Sequence, residues 1–139
     1  MGAVPPGNVL PDGDGSRAPT LFVSAIANLG TVEHQGTPLK RIQILEGWVG
    51  NDDPLHERVF DVAGHPDNGA EVCRSACKRS GDGAASLWAT CTDPEFDRSR
   101  SAVYYARVLE NPNRRWNALQ CMALPENERP VACADPYLP

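Results

Sequence analysis

Cysteine is the residue type that offers most chemistry in this sequence. The 139-residue chain contains five cysteines, all in its C-terminal half: Cys73, Cys77, Cys91, Cys121 and Cys133. The spacing of Cys73 and Cys77 suits two zinc ligands, but no second close pair of cysteines or histidines follows it. Disulfides or plain thiols are therefore favoured over a metal site. Because the count is odd, at least one thiol stays free or bonds to another molecule.

Two disulfides are predicted. We expect Cys91 to pair with Cys73 or Cys77, and Cys121 to pair with Cys133. Both pairings close loops of moderate length, where an unstrained bridge contributes about 2–4 kcal/mol to stability. Disulfides persist in oxidising compartments, so this prediction also favours an exported protein.

The other residues with catalytic potential are scattered. His34, His56 and His65 form no His-x-His or His-Glu-x-x-His pattern, so we interpret them as solvent-exposed histidines in loops or at strand edges. The sequence also lacks the Gly-x-Ser-x-Gly of hydrolases and a phosphate loop ending in Gly-Lys-Ser or Gly-Lys-Thr. We therefore predict no catalytic residue, no cofactor-binding residue and no metal ligand in this chain.

The composition indicates one small domain. Hydrophobic residues make up 41% of the chain, and the formal net charge is −5. A nucleic-acid-binding protein would need a basic surface, which this acidic chain does not offer. No apolar run approaches the about 20 residues that span a bilayer. The first residues also lack the basic head and apolar stretch of a secretory signal.

Five apolar or alternating segments predict β-strands, at residues 20–27, 39–49, 56–63, 86–92 and 101–109. The predicted fold class is all-β, as a small antiparallel sheet or partial sandwich with long loops and little helix. We expect the second, third and fifth segments to form one sheet. Its buried face would use Ile42, Ile44, Trp48, Phe60 and Tyr105. Glu46 falls on the same face of its strand and interrupts the apolar pattern.

The rest of the chain is predicted as loop or tail. Residues 1–19 are rich in Pro and Gly turn signals and should form a flexible N-terminal segment. Residues 64–85 are the longest irregular stretch. The segment after residue 113 shows little hydrophobic periodicity and no convincing helix. The domain should thus span residues 20–135, followed by a tail at residues 136–139.

Four stretches carry a resemblance to a known family. They are residues 37–49 (TPLKRIQILEGWV), 56–63 (HERVFDVA), 93–97 (DPEFD) and 102–112 (AVYYARVLENP), followed by Arg115-Trp116 and Gln120-Cys121. Their order and spacing resemble the C-terminal part of the bacterial family called domain of unknown function 3604. The resemblance covers residues 20–135, and its most specific string is YYARVLENP.

The resemblance implies a larger, usually exported protein. Its N-terminal body resembles the metal-dependent hydrolases of the polymerase-and-histidinol-phosphatase type, with His and Asp metal ligands. Those ligand motifs do not occur in this chain, so the divalent metal is implied only for that body. Family members often carry a cysteine where this chain has Arg114, and they continue past residue 139 with one more Trp-containing strand.

Two functions are favoured by these observations, and a small enzyme in its own right is a third and weaker alternative. The chain could be a non-catalytic β module or fragment of the larger metallohydrolase, whose body is then its partner. Alternatively, it could be a self-standing secreted binding or interaction protein that uses an exposed sheet edge. In both cases an exposed edge and an apolar face predict self-association of the isolated chain.

Overall fold

Seven strands form three antiparallel sheets among residues 3–10, 17–50, 54–73 and 78–133, which are the residues that the computed structural model describes. The strands are β1 (Thr20–Ile26), β2 (Leu39–Val49), β3 (Leu55–Gly64), β4 (Glu71–Val72), β5 (Arg79–Ser80), β6 (Ser86–Thr92) and β7 (Ala102–Glu110). The sheets have the orders β3-β2-β7, β1-β6 and β4-β5. The predicted all-β class is confirmed. No helix in this part of the chain is long and apolar enough to cross a membrane.

The three-stranded sheet matches the predicted sheet. All five predicted strands occur within about one residue of their expected bounds, because proline and polar residues interrupt the apolar runs. In the central strand β2, Ile42 and Ile44 point to the inner face and are buried. Tyr105 was expected there, but this prediction is wrong. Tyr105 pairs with Leu45 on the outer face and is exposed, whereas its neighbour Tyr104 pairs with Glu46 on the inner face.

Strand β6, which pairs with β1, connects the second sheet to the three-stranded sheet. Strand β6 lies against β2 and β3, and Ala84 just before it bridges to Leu39 at the start of β2. Alternate residues of β1 and β6 are partly or fully buried, which gives these strands one inner and one outer face. The small apolar core consists of Ala27, Leu39, Ile42, Ile44, Leu45, Ala89 and Ala118.

The stretch 64–85 contains a short hairpin that the sequence did not predict. Strands β4 and β5 are two residues each, too short to show a period. Side chains hold this hairpin against the rest of the fold. Arg79 donates from Nη1 to the carbonyl of Gly36 at 2.9 Å and to the hydroxyl of Thr37 at 3.1 Å. Asn68 donates to the carbonyl of Asp82 at 2.7 Å and to Asn111 Oδ1 at 2.8 Å.

Helix α1 (Trp116–Ala123) is a second departure from the sequence prediction. Its N-cap, Arg115, makes no side-chain capping hydrogen bond, and its first turn has no acidic residue. The usual signals of a helix start are therefore missing. Ala118 is its one buried residue. A disulfide between Cys121 and Cys133 joins the helix to the segment that follows it.

Candidate functional site

A buried group of polar side chains lies between the two larger sheets, at the end where β6 leaves the core. Glu46 of β2 and Asp93, one residue after β6, are 2% and 3% exposed. The Tyr104 hydroxyl donates to Asp93 Oδ2 at 2.7 Å and lies 3.5 Å from Glu46 Oε1. On the other side, Arg58 Nη1 lies 3.3 Å from Glu46 Oε2. Because Asp93 directly follows β6 and Tyr104 lies in β7, their hydrogen bond ties the end of one sheet to the other.

Burial controls the protonation of this group. It raises the pKa of Glu46 above the ordinary carboxyl value, and the neighbouring charge of Asp93 raises it further, while Arg58 and Arg100 lower it. Burial also raises the pKa of Tyr104, and its hydrogen bond to Asp93 adds to this effect. Tyr104 is therefore a neutral donor at physiological pH. Both carboxylates are buried and engaged by Tyr104 and Arg58, so they help to hold the two sheets together.

Trp48 organises the surface next to the buried group. Its ring stacks on His56, with ring centroids 5.4 Å apart. The guanidinium of Arg100 lies 4.5 Å from the Trp48 ring centroid, and that of Arg58 lies 5.2 Å from it. Arg58 Nη2 also contacts Glu95 Oε2 at 2.9 Å. The connection between β6 and β7 is thus held against the end of β2 by the cation–π contact of Arg100 and against β3 by the ion pair of Glu95 with Arg58.

The outer face of the three-stranded sheet has a polar end. Gln43 Nε2 donates to Asp61 Oδ1 at 2.8 Å, and Gln43 Oε1 accepts from Nε and Nη2 of Arg107 at 2.9 and 2.6 Å. This row crosses all three strands. It satisfies the buried amide of Gln43 and makes this end of the face hydrophilic.

The opposite end of the outer face carries a hollow of about 330 Å³. Gly47, two residues before the end of β2, has no side chain, and a Cβ placed there would meet only the carbonyl oxygen of His56, at 3.9 Å. Exposed apolar side chains from all three strands surround this position. They are Val49 of β2, Leu55 of β3, and Val103 and Tyr105 of β7. The sequence did not identify the hollow, although a lone glycine inside a strand pattern is a signal for one.

The structure bears on both of the predicted disulfides. The expected Cys121–Cys133 disulfide is confirmed. The expected bridge from Cys91 to Cys73 or Cys77 is wrong, because Cys91 has a free thiol. Cys91 lies in β6 opposite Leu21 and faces the partly buried inner side, whereas Cys73 is exposed beyond β4. Cys77 lies outside the described residues.

The histidines do not converge. His34 and His65 are exposed, whereas His56 is partly buried against Trp48. No group of three or more His, Cys, Asp or Glu residues in the described ranges could hold a metal ion. The residues present therefore do not fit the metal that the family resemblance implies for the hydrolase body.

The sequence analysis did not predict most of the buried polar group. Its one indication was Glu46, which interrupts an apolar strand face. A carboxylate at such a position needs a partner on a neighbouring strand. Arg58 and Tyr104 occupy those positions, directly across from it.

The fold and its surfaces define a small all-β unit with a buried group of polar side chains between its sheets and several exposed apolar side chains on its outer faces. A sequence profile described as Protein of unknown function (DUF3604) matches residues 1–135. The chain belongs to this family, and the match includes the N-terminal segment. No curated protein and no solved structure matches the chain.

Proposed function

We propose that the chain is a non-catalytic β module of a larger bacterial protein, and that it docks on a metal-dependent hydrolase body of the polymerase-and-histidinol-phosphatase type. The observation that carries this proposal is the apolar hollow above Gly47. Leu55 is 78% exposed and Val103 is 68% exposed. A protein that covered this face of the sheet would bury both side chains. A contiguous exposed patch of this kind is typical of a surface that another protein covers.

The composition of the patch supports a protein partner. Aliphatic and aromatic side chains make up most of its lining, and Glu57, which stands directly opposite Gly47, is its one carboxylate. Interface centres are enriched in aromatic residues, and a concave centre accepts a single protruding side chain. The Tyr105 hydroxyl donates to Glu57 Oε2 at 3.3 Å, so this carboxylate is already engaged within the patch.

The buried carboxylates of this chain already have partners. Asp93 accepts a hydrogen bond from Tyr104, and Glu46 forms an ion pair with Arg58. In the proposed arrangement the body supplies the His and Asp ligands, the divalent metal and the reaction, and this module stabilises the body. The Cys121–Cys133 disulfide supports export to the periplasm or the extracellular space.

A Gly47→Val variant tests the proposal. Valine favours strands and has space at this position, so the fold should keep its stability while the hollow is filled. The body of a longer family member, produced separately, is titrated with the chain and binding is measured by calorimetry. We expect binding by the natural chain and at least tenfold weaker binding by Gly47→Val.

The matched control is Phe22→Ser, which changes an exposed apolar residue on the other sheet. It should bind the body like the natural chain. Absence of any binding between the natural chain and the body, or full binding by Gly47→Val, would reject the docking surface.

One observation favours the alternative of a self-standing secreted interaction protein. Within the described residues, β7 pairs with β2 alone and offers its other edge, nine residues without proline, to an added strand. Gene context separates the two functions. An adjacent reading frame encoding the His- and Asp-rich body supports the module, whereas an isolated gene with its own export signal supports the alternative.

A further inference from the structure

The outer face of the β1–β6 sheet has an unusual composition. Alternation in the two strands sends eight side chains outward, and all eight are exposed. None of them carries a charge. They are Thr20, Phe22, Ser24, Ile26, Ser86, Trp88, Thr90 and Thr92. A protein surface ordinarily carries many lysine, glutamate, aspartate and arginine side chains, so eight exposed positions without a charge distinguish this face.

Two aromatic rings form the centre of this face. Phe22 pairs with Thr90, and Ser24 pairs with Trp88, which places Phe22 and Trp88 at diagonal positions across the two strands. Diagonal neighbours are about 7–8 Å apart, so their rings form one continuous aromatic strip. Both side chains are 70% exposed. Ile26 extends the strip along β1, and the distance from Phe22 to Ile26 is about 13 Å at the usual strand rise.

Hydroxyl groups border the strip on both sides. Five of the eight side chains are serine or threonine. The hydroxyls of Thr20 and Thr92 lie 3.2 Å apart and bond to each other at one end of the face. A hydroxyl both donates and accepts, so this border can match a ligand that presents alternating donors and acceptors.

This combination discriminates between ligand classes. Nucleic acids and acidic polymers require lysine or arginine, and none is present on this face. The centres of protein interfaces are depleted in serine, and serine and threonine are under-represented among their energetic hot spots. A neutral sugar ring fits both parts of the surface, because it has an apolar C–H face that stacks on aromatic rings and a hydroxyl edge that hydrogen-bonds.

We propose that the outer face of the β1–β6 sheet binds a neutral polysaccharide chain. Phe22 and Trp88 stack on successive sugar rings, and the serine and threonine hydroxyls contact their edges. Because the face is an open sheet surface, it suits the interior of an extended chain better than a single terminal sugar. This surface lies on a different sheet from the hollow above Gly47, so the inference does not depend on the proposed docking to a hydrolase body.

Affinity electrophoresis of the chain in gels containing a neutral polysaccharide tests the proposal. Xylan, mixed-linkage β-glucan and starch are the neutral probes, and alginate is the anionic comparison. We expect retardation by at least one neutral polymer and none by alginate. Trp88→Ala and Phe22→Ala should each bind at least tenfold more weakly, whereas Trp88→Phe keeps a ring and should retain most of the affinity.

The matched control is Val103→Ala on the outer face of the other sheet, which should bind like the natural chain. Circular dichroism checks that each variant is folded. Failure to bind any neutral polymer, undiminished binding by Trp88→Ala and Phe22→Ala, or retardation by alginate alone would overturn the proposal. It would also be overturned if Trp88→Ala abolished self-association or binding of the hydrolase body, because the face would then be a protein interface.

Discussion

The hydroxyl of Tyr104 donates to Asp93 Oδ2 at 2.7 Å and thereby joins two sheets that share no strand. The bond is made between a strand of one sheet and the residue that follows the last strand of the other. Both groups lie away from solvent, where an acceptor without its donor is costly.

Tyr104→Phe should therefore destabilise the chain by about 1.5–3 kcal/mol, the usual value for a hydrogen bond to a charged group. The loss is measured from urea unfolding curves. Tyr105→Phe is the matched control, since it removes the exposed hydroxyl of the adjacent tyrosine and should cost less than about 0.5 kcal/mol. Equal losses of unfolding free energy in the two variants would show that the hydrogen bond to Asp93 contributes no more than an exposed one.

Glu46 should make the chain more stable at mildly acidic pH. Its pKa is raised in the folded state, so the folded chain binds the proton more tightly than the unfolded chain. The resulting stabilisation is complete below the unfolded pKa and is lost as the pH rises through the folded pKa. Glu46→Gln cannot titrate, so its stability should change less than that of the natural chain between about pH 5 and about pH 7.

Urea midpoints at the two pH values measure this difference. Glu57→Gln is the control, because Glu57 is exposed and should leave the natural pH dependence intact. Asp97 has a lowered pKa owing to hydrogen bonds from Ser99. The stability that Asp97 contributes is lost as the pH falls through its lowered folded pKa, which lies below this pH window. An unchanged pH dependence in Glu46→Gln would contradict the prediction.

Reduction of the Cys121–Cys133 disulfide should open the C-terminal segment locally. The bridge spans 12 positions, and chain entropy assigns about 3 kcal/mol to a loop of this size. Helix α1 buries only Ala118, so we expect Cys121→Ser to raise amide hydrogen exchange in residues 116–133 and to leave β2 protected. Cys91→Ser should leave exchange in this segment unchanged. Uniformly faster exchange across the whole chain would show that the bridge supports the sheets as well.

The thiol of Cys91 should react slowly with alkylating reagents. Burial raises its pKa, and the nearby Asp93 carboxylate raises it further. The reactive thiolate is therefore scarce, and the side chain is only partly accessible. The rate of iodoacetamide labelling at this cysteine, followed by peptide mass spectrometry, should increase at least tenfold in urea. Equal rates in the folded and unfolded chain would contradict the burial of this thiol.

The isolated chain should self-associate through the hollow above Gly47. Sedimentation velocity is expected to show dimers or larger species, since Leu55 and Val103 present apolar surface to solvent. Leu55→Ser combined with Val103→Ser should shift the chain to monomer. Addition of the hydrolase body should raise the melting temperature. A monomer whose melting temperature is unaffected by the body would indicate a self-sufficient domain.

The strands were predictable because their signals are local. Pro38, Pro54 and Pro94 stand immediately before or near strand ends, and β2 alternates clearly enough to separate Ile42 and Ile44 from Gln43. Strand β7 has apolar residues on both faces, and Arg107 on the face of Tyr105 was its one sign that Tyr105 points outward. Pairing with β2 decides the orientation, because Tyr104 stands opposite Glu46.

The missed features depend on distant residues. Helix α1 lacks capping signals and is joined by its disulfide to a later segment of the chain. The short hairpin of β4 and β5 is held by Arg79 and Asn68, which contact residues more than 40 positions away. The hollow lies over Gly47, which stands between Glu57 and Val103 of two other strands and is bordered by Leu55 opposite Val49. A single sequence contains no local record of these neighbours.

The pairing of β1 with β6 has a consequence for biosynthesis. Thr20 bonds to Thr92, 72 positions later, so β1 leaves the ribosome long before its partner strand exists. At a synthesis rate of about 5–20 residues per second, the nascent chain carries β1 unpaired for roughly 3–15 s. Throughout this interval Phe22 and the inner-face residues Leu21 and Val23 are all open to solvent. A ribosome-associated chaperone or a neighbouring nascent chain can bind the strand in that time, so we expect slower translation between β1 and β6 to lower the yield of folded protein.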